Sequence, residues 1–206
     1  MTATTVHMAV YDTLADWEVG HTTAHINNGK WQRRPGLYDV ATVGETGEAV
    51  TSMGGLRITP DTMLDDLRPA DSAMLVLPGA DTWLSGGNGA FADKAREFLD
   101  AGVPVAAICG ATAGLAVAGI LDTRRHTSNA ALFLQGTGYA GAHLYVEQSA
   151  VTDGNLVTAS GTSPVEFARE ALALLDLYQP DVLASWYKLY GQNDPAGFFE
   201  LMEAGA

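Results

Sequence analysis

One cysteine stands in this chain of 206 residues, at position 109, inside the stretch PVAAICGATAGLAVAG (104–119). The residues before it form an apolar run of strand character, and those after it are small and helix-forming. A thiol at such a strand-to-helix junction is presented at the edge of a sheet. It also needs a small neighbour, here Gly110, to let the chain bend sharply. Unpaired N–H groups at the start of the following helix favour a thiolate there. The placement follows the logic of a nucleophile elbow, although the G-x-S-x-G spelling is absent. A plainer reading is a buried cysteine acting as a small hydrophobe, the commonest fate of a free thiol. Position alone leaves both open.

Other residues could assist such a thiol. LVLPGA (75–80) ends an apolar run in Gly79 and Ala80, whose backbone N–H groups, with that of Gly110, are candidates for an oxyanion pocket. Pro78-Gly79 can equally serve as a plain turn, and the two roles are compatible. His21 and His25 lie at i, i+4, with Glu18 three residues earlier, a spacing that one helix face could offer a metal. HTTAH lacks the glutamate of a zinc-protease motif and no further ligands accompany it, so a packed or surface pair is expected and no metal. GTGYAG (136–141) spells G-x-G-x-x-G but opens no helix, so no dinucleotide cofactor is expected. Trp17, Trp83 and Tyr139 read as pocket-lining or simple packing aromatics.

The elements that must position these residues can be read along the chain. Residues 6–11, 38–43, 73–77 and 103–108 form short apolar strand patterns, and 45–58 reads as a hairpin or irregular pair around Gly54-Gly55. A helix capped by Thr13 or Asp16 runs toward Gly29, a left-handed stop. Phe91, Ala95, Phe98 and Leu99 mark a helix ended by Gly102, and 111–120 is the helix after Cys109. Two more strands, 144–148 and 155–159, are joined through Asp153-Gly154. Ser163-Pro164-Val165-Glu166 is a capping box for the next helix, and 180–190 and 195–202 are two further helices. Strands alternating with helices predict an α/β fold: one doubly wound, mostly parallel sheet, helices on both faces, a β-hairpin insertion, and a single domain over 1–206.

PVAAICGATAGLAVAGIL, LVLPGA, LADWEVG (14–20) and TASGTSPVEFAREALALL (158–175) together resemble the ThiJ/PfpI superfamily, over roughly residues 5–177. The resemblance implies a flavodoxin-like, class I glutamine amidotransferase-like fold with Cys109 as the reactive residue. It also implies that Glu18 approaches the thiol, held protonated by burial as a hydrogen-bond donor, or serving as acid or base toward substrate. Without the resemblance Glu18 reads as a carboxylate complementing a helix dipole. The protease branch carries a histidine directly after the cysteine; here that slot is Gly110. The deglycase branch places one beyond the helix, and aligning through Thr127-Ser128 puts Asn129 there, with His126 three residues early. His126 reads as solvent-facing beside Arg124-Arg125, so a Cys–His–acid triad is not expected, although either His126 or Asn129 could be the third member.

The expected activity is a cysteine-dependent hydrolase or lyase acting on a small molecule: a 2-oxoaldehyde, an amide-like bond or an isocyanide. No separate cofactor is implied. The alternatives are a redox-sensing stress-response protein working through oxidation of Cys109, and a glutamine amidotransferase-like domain. Eleven basic residues against 24 acidic ones give a net charge of −13, which repels phosphate backbones and argues against nucleic acid. No window approaches about 18 uninterrupted apolar residues, so no membrane span is expected. The N-terminus lacks the basic and apolar regions of a signal peptide, and a lone cysteine forms no internal disulfide; the expected location is the cytoplasm. Aromatics at helical spacing in WYKLY and DPAGFFELM (186–190, 194–202), with the habit of the superfamily, favour a homodimer.

Overall fold

The computed structural model describes residues 4–205. The chain runs β1 (Thr4–Ala9), α1 (Asp16–Asn27), β2 (Tyr38–Gly44), β3 (Val50–Thr51), β4 (Arg57–Ile58), β5 (Thr62–Met63), β6 (Ser72–Leu77) and α2 (Gly89–Asp100). It continues through β7 (Val105–Ile108), α3 (Gly110–Val117), α4 (Ala131–Gln135), β8 (Ala150–Asp153), β9 (Leu156–Ala159), α5 (Pro164–Leu174), α6 (Pro180–Tyr190) and α7 (Ala196–Ala204). Seven strands form one sheet in the order β5-β2-β1-β6-β7-β9-β8, parallel except where β8 meets β9. β3 and β4 form a separate antiparallel pair.

Burial explains the parallel core. Every residue of β7 and β9 is buried, as are the carboxyl ends of β1 and β6, because helices cover both faces. α1 packs on α5, with α6 and α7 outside them; α2 and α3 pack together against β6 and β7. Right-handed crossovers require that split: the chain steps from β1 outward to β2, then from β6 in the opposite direction to β7. The reversal between β1 and β6 leaves a crevice at the carboxyl ends of the central strands.

Several local expectations change. Residues 144–148 are not a strand: a 3-10 turn at Gly141–Leu144 leads into a loop that His126 holds by accepting the Val146 N–H at 2.8 Å. The hairpin partner of β9 is β8, turning through Asp153-Gly154 with Gly154 at φ 61°. Ser163 stands at the N-cap of α5 but makes no side-chain cap, so the capping box does not form. Neither Thr13 nor Asp16 caps α1; Ala15 occupies that position. Their oxygens are committed elsewhere, Thr13 accepting the Asp81 N–H at 3.0 Å and Asp16 that of Gly54 at 2.6 Å. α1 ends through extended Asn28 rather than a left-handed Gly29. β5 and α4 are too short for periodicity to reveal.

α1 is tied to α6 by a buried histidine. His25 Nε2 accepts the Trp186 indole N–H at 3.0 Å, and its Nδ1 lies 3.1 Å from the Tyr178 hydroxyl. His21 stacks on it with ring centroids 6.2 Å apart, so the i, i+4 pair is built into an aromatic cluster. Burial, and secondarily the charge of His21, lowers His25 to about 4. In the unfolded chain a histidine titrates near ~6.5. The stability His25 contributes is therefore fully present above pH ~6.5 and is lost as pH falls toward 4. Urea midpoints at pH 7 and pH 4.5 should fall by the equivalent of about 2 kcal/mol in the native protein. The drop should shrink in His25→Gln; equal drops in both proteins would exclude this residue as the cause.

Candidate functional site

The loops following β1, β6, β7 and β9 converge on the crevice. Cys109, the residue after β7, adopts φ 57° and ψ −123°. A non-glycine residue there stores about 1–3 kcal/mol of strain and must be held by its surroundings. Its N–H donates to Ala159 O at 3.0 Å. Its carbonyl accepts both the N–H of Thr112 at 3.1 Å and the Thr112 hydroxyl at 2.6 Å. Thr112 is in turn braced by Ser128 at 2.6 Å. The sulfur is half-buried.

Glu18, on the first turn of α1, is fully buried. Its Oε2 accepts the Gly79 N–H at 2.6 Å. Its Oε1 has no partner of hydrogen-bond geometry among the described residues and lies beside the thiol. The Pro78-Gly79 turn is fixed from behind, where the Trp83 indole N–H reaches Pro78 O at 2.9 Å and the Tyr11 hydroxyl donates to the same carbonyl. Two glycines make the approach possible. A Cβ on Gly79 would stand 2.7 Å from Cys109 Cβ and 2.8 Å from Glu18 Oε2. A Cβ on Gly161 would stand 2.7 Å from the sulfur and 3.0 Å from Glu18 Oε1.

Asn129 closes the third side. Its Nδ2 donates to the sulfur at 3.3 Å, while its Oδ1 accepts the Gly161 N–H at 2.9 Å and so fixes which end of the amide faces the thiol. His126 is elsewhere. Rather than facing solvent, it is fully buried, with Nδ1 at 2.7 Å from Arg124 O and Nε2 at 3.0 Å from the Tyr139 hydroxyl. Both ring nitrogens are engaged away from the sulfur.

The electrostatics reverse one expectation. Burial, followed by the charge of Glu18, pushes the Cys109 thiol up to about 11, outweighing the Asn129 amide and the Gly110 N–H that favour the anion. Burial also raises Glu18, against the opposing pull of the Gly79 N–H and the thiol. Burial thus pushes both members of the pair toward their protonated forms. Gly79 is not a spare donor, since Glu18 takes its N–H. Ala80 and Gly110 remain adjacent: a Cβ on Gly110 would stand 3.5 Å from Ala80 N.

Over Cys109, Glu18, Asn129 and Gly161 opens a cavity of about 480 Å³, walled also by Trp17, Ser160, Thr162 and Pro164. The Trp17 indole N–H donates to Gly161 O at 3.1 Å. Trp83 and Tyr139 lie outside it, the first supporting the Pro78 turn and the second holding His126. Sequence reasoning overlooked Gly161; the available signal was the small-polar SGTS run that follows the carboxyl end of a strand pattern. Among the described residues, no group of three or more His, Cys, Asp or Glu could hold a metal, and no helix is long and apolar enough to cross a membrane.

A doubly wound parallel sheet with a strained cysteine bend at its reversal point, facing a buried carboxyl from the first helix, defines a narrow class of α/β proteins. The chain belongs to the DJ-1/PfpI family, which its residues 4–174 match. It is 42% identical over 200 residues to the uncharacterized protease YoaZ of Bacillus subtilis (strain 168), covering 96% of this chain and 95% of that one. It is 33% identical over 135 residues to protein/nucleic acid deglycase 2 of Escherichia coli (strain K12), covering 64% of this chain and 73% of that protein. A thiJ/pfpI family protein from Bacillus anthracis has the same fold at TM-score 0.92 and 41% identity, covering 99% of this chain and 98% of that one. A DJ-1 superfamily protein from Agrobacterium tumefaciens follows at TM-score 0.80 and 35% identity, covering 92% and 99%.

Proposed function

We propose that the protein is a cysteine-dependent enzyme of hydrolase type, with Cys109 as nucleophile and Glu18 as the single proton carrier. The observation that carries this is the fully buried Glu18 carboxyl beside a thiol held in a strained bend. The names of its protease and deglycase relatives support the same general chemistry. As sulfur attacks the electrophilic carbon, its proton passes to Glu18, and the N–H groups of Ala80 and Gly110 receive the developing oxyanion. Glu18 then returns the proton to the departing atom. A water that gives its own proton to Glu18 attacks the thioester and frees the enzyme. Both ring nitrogens of His126 are engaged away from the sulfur and, among the described residues, no histidine hydrogen-bonds it, so neither a Cys–His–acid triad nor the glutaminase chemistry of an amidotransferase has support. The raised thiol bears equally on the redox-sensing alternative, because nucleophilic attack and oxidation both follow thiolate content.

The test combines labelling and turnover. Native protein, Cys109→Ser and Glu18→Gln are assayed with methylglyoxal, isocyanides and amides, and alkylation by iodoacetamide is followed by mass spectrometry. Turnover lost in both variants supports the enzyme; rapid oxidation without turnover supports the sensor. A Cys109 that alkylates only after unfolding removes both.

Asn129 supplies a second expectation. Asn129→Ala removes a donor that favours the sulfur anion, so alkylation should need higher pH and kcat/KM should fall about 10- to 100-fold. An unchanged alkylation profile would show that the amide only spaces the loop.

A further inference from the structure

Trp17 walls the cavity over Cys109. The same indole, 53% exposed, also borders an open groove of about 540 Å³ shared with Asp16, Met53, Gly54 and Leu56. Met53 and Leu56 are 48% and 61% exposed. Single exposed apolar side chains need no explanation, but three adjoining ones at the mouth of a cavity form a patch that does.

The groove is held in place. The segment joining β3 and β4 is fastened to the loop before α1, where Met53 N–H donates to Leu14 O at 2.8 Å and Thr13 N–H donates to Thr51 O at 2.8 Å. Asp12 accepts the Thr51 N–H at 2.8 Å and Asp16 the Gly54 N–H at 2.6 Å. Trp17 is locked from the other side by Gly161. The backbone that carries Met53 and the Trp17 indole are therefore held relative to the sulfur, as a subsite requires.

We infer that the substrate carries an uncharged apolar arm, an aryl group or a branched acyl chain, that lies across Trp17 onto Met53 and Leu56 while its electrophilic carbon meets Cys109. This rests on the reading of Cys109 as nucleophile. Two observations select this occupant. The groove adjoins the reactive cavity, with Trp17 forming a wall of both. Its charged neighbours are Asp16, whose carboxyl the Ser52 and Gly54 hydrogen bonds hold below the usual range, and Glu18 beneath; no Lys or Arg lines either space, so an anionic arm finds no partner. A three-carbon aldehyde would leave most of the site empty.

The experiment compares alkylation of Cys109 in the full-length protein by iodoacetamide and by N-benzyl iodoacetamide, each rate divided by that with free N-acetylcysteine. Native protein should favour the benzyl reagent by at least about tenfold, expressed in the half-saturating concentration rather than the limiting rate. In a Met53→Ser, Leu56→Ser double variant with an unchanged circular dichroism spectrum, the preference should fall to within about twofold. A native ratio near one overturns the inference and leaves the nucleophile standing. No reaction with either reagent overturns the nucleophile and the inference together. A preference that survives the double variant overturns it too, as does a double variant that changes sedimentation from dimer to monomer while keeping the preference, which would assign the patch to a second copy of the chain.

Discussion

Glu18→Gln should cut turnover by orders of magnitude, leave Cys109 easier to alkylate and make the folded chain more stable at neutral pH. The three results point in different directions for one reason. Glutamine keeps the shape of the side chain and can still accept the Gly79 N–H, but it neither titrates nor carries charge. Without a proton carrier the attack on carbon and the departure of product both stall, a loss of about 100- to 10,000-fold in kcat/KM. Meanwhile the charge of Glu18, the second-largest cause holding the thiol near 11, is gone, so the alkylation midpoint moves to lower pH. The stability sign follows from the raised carboxyl. A group whose folded pKa exceeds its unfolded value contributes stability that is complete below the unfolded value, near ~4.3, and is lost as pH rises through the folded one. The variant should thus be more stable than the native protein at pH ~7.5, with the gap closing below pH ~4.3. Alkylation against pH, thermal melts at both pH values and steady-state assays read the three effects separately. An alkylation midpoint that rises in Glu18→Gln would mean that the carboxyl resides as a proton donor to a thiolate.

The residues that meet at the crevice were mostly legible, because they lie where motif and element boundary coincide. Cys109 ends an apolar run, Glu18 opens a helix after the first strand, and Asn129 sits at a counted distance beyond α3. What the sequence hid depends on long-range placement. Arg124-Arg125 beside His126 suggested solvent, yet the histidine turns inward because Tyr139 and Tyr145 lie against its ring and a carbonyl two residues back takes its Nδ1. The strand pattern at 144–148 yielded to the same contact. The thiolate expected from the helix terminus was overruled by burial and by Glu18, neither of which is a local property. Periodicity located the core strands well because parallel strands buried on both faces carry unbroken apolar runs, whereas caps failed where Thr13 and Asp16 had remote partners.

Gly161→Ala should destroy activity and destabilise the protein, whereas Gly20→Ala, the same change in chemical terms, should stabilise it. Gly20 lies exposed within α1 with nothing within 4 Å of an added Cβ, so the alanine gains about 0.5–1 kcal/mol of helix propensity. Gly161 has no such room. Its added carbon meets Sγ at 2.7 Å, Cys109 Cβ at 2.9 Å and Glu18 Oε1 at 3.0 Å. None of these yields cheaply, since Cys109 already sits in a strained conformation braced by Ala159 and Thr112, and Glu18 is pinned by Gly79. The loop after β9 must move outward instead. That displacement breaks the Gly161 N–H bond that orients Asn129 and withdraws the carbonyl that holds Trp17. A loss of about 1–3 kcal/mol in stability is expected from the overpacking. Turnover should fall by more than about 100-fold, because a shift of ~1 Å at the reacting groups is enough for that. Urea denaturation and assays on the folded fraction separate the two, and a Gly161→Ala protein that is as stable and active as the native one would show that the thiol and Glu18 are not in fact pressed together at that α-carbon.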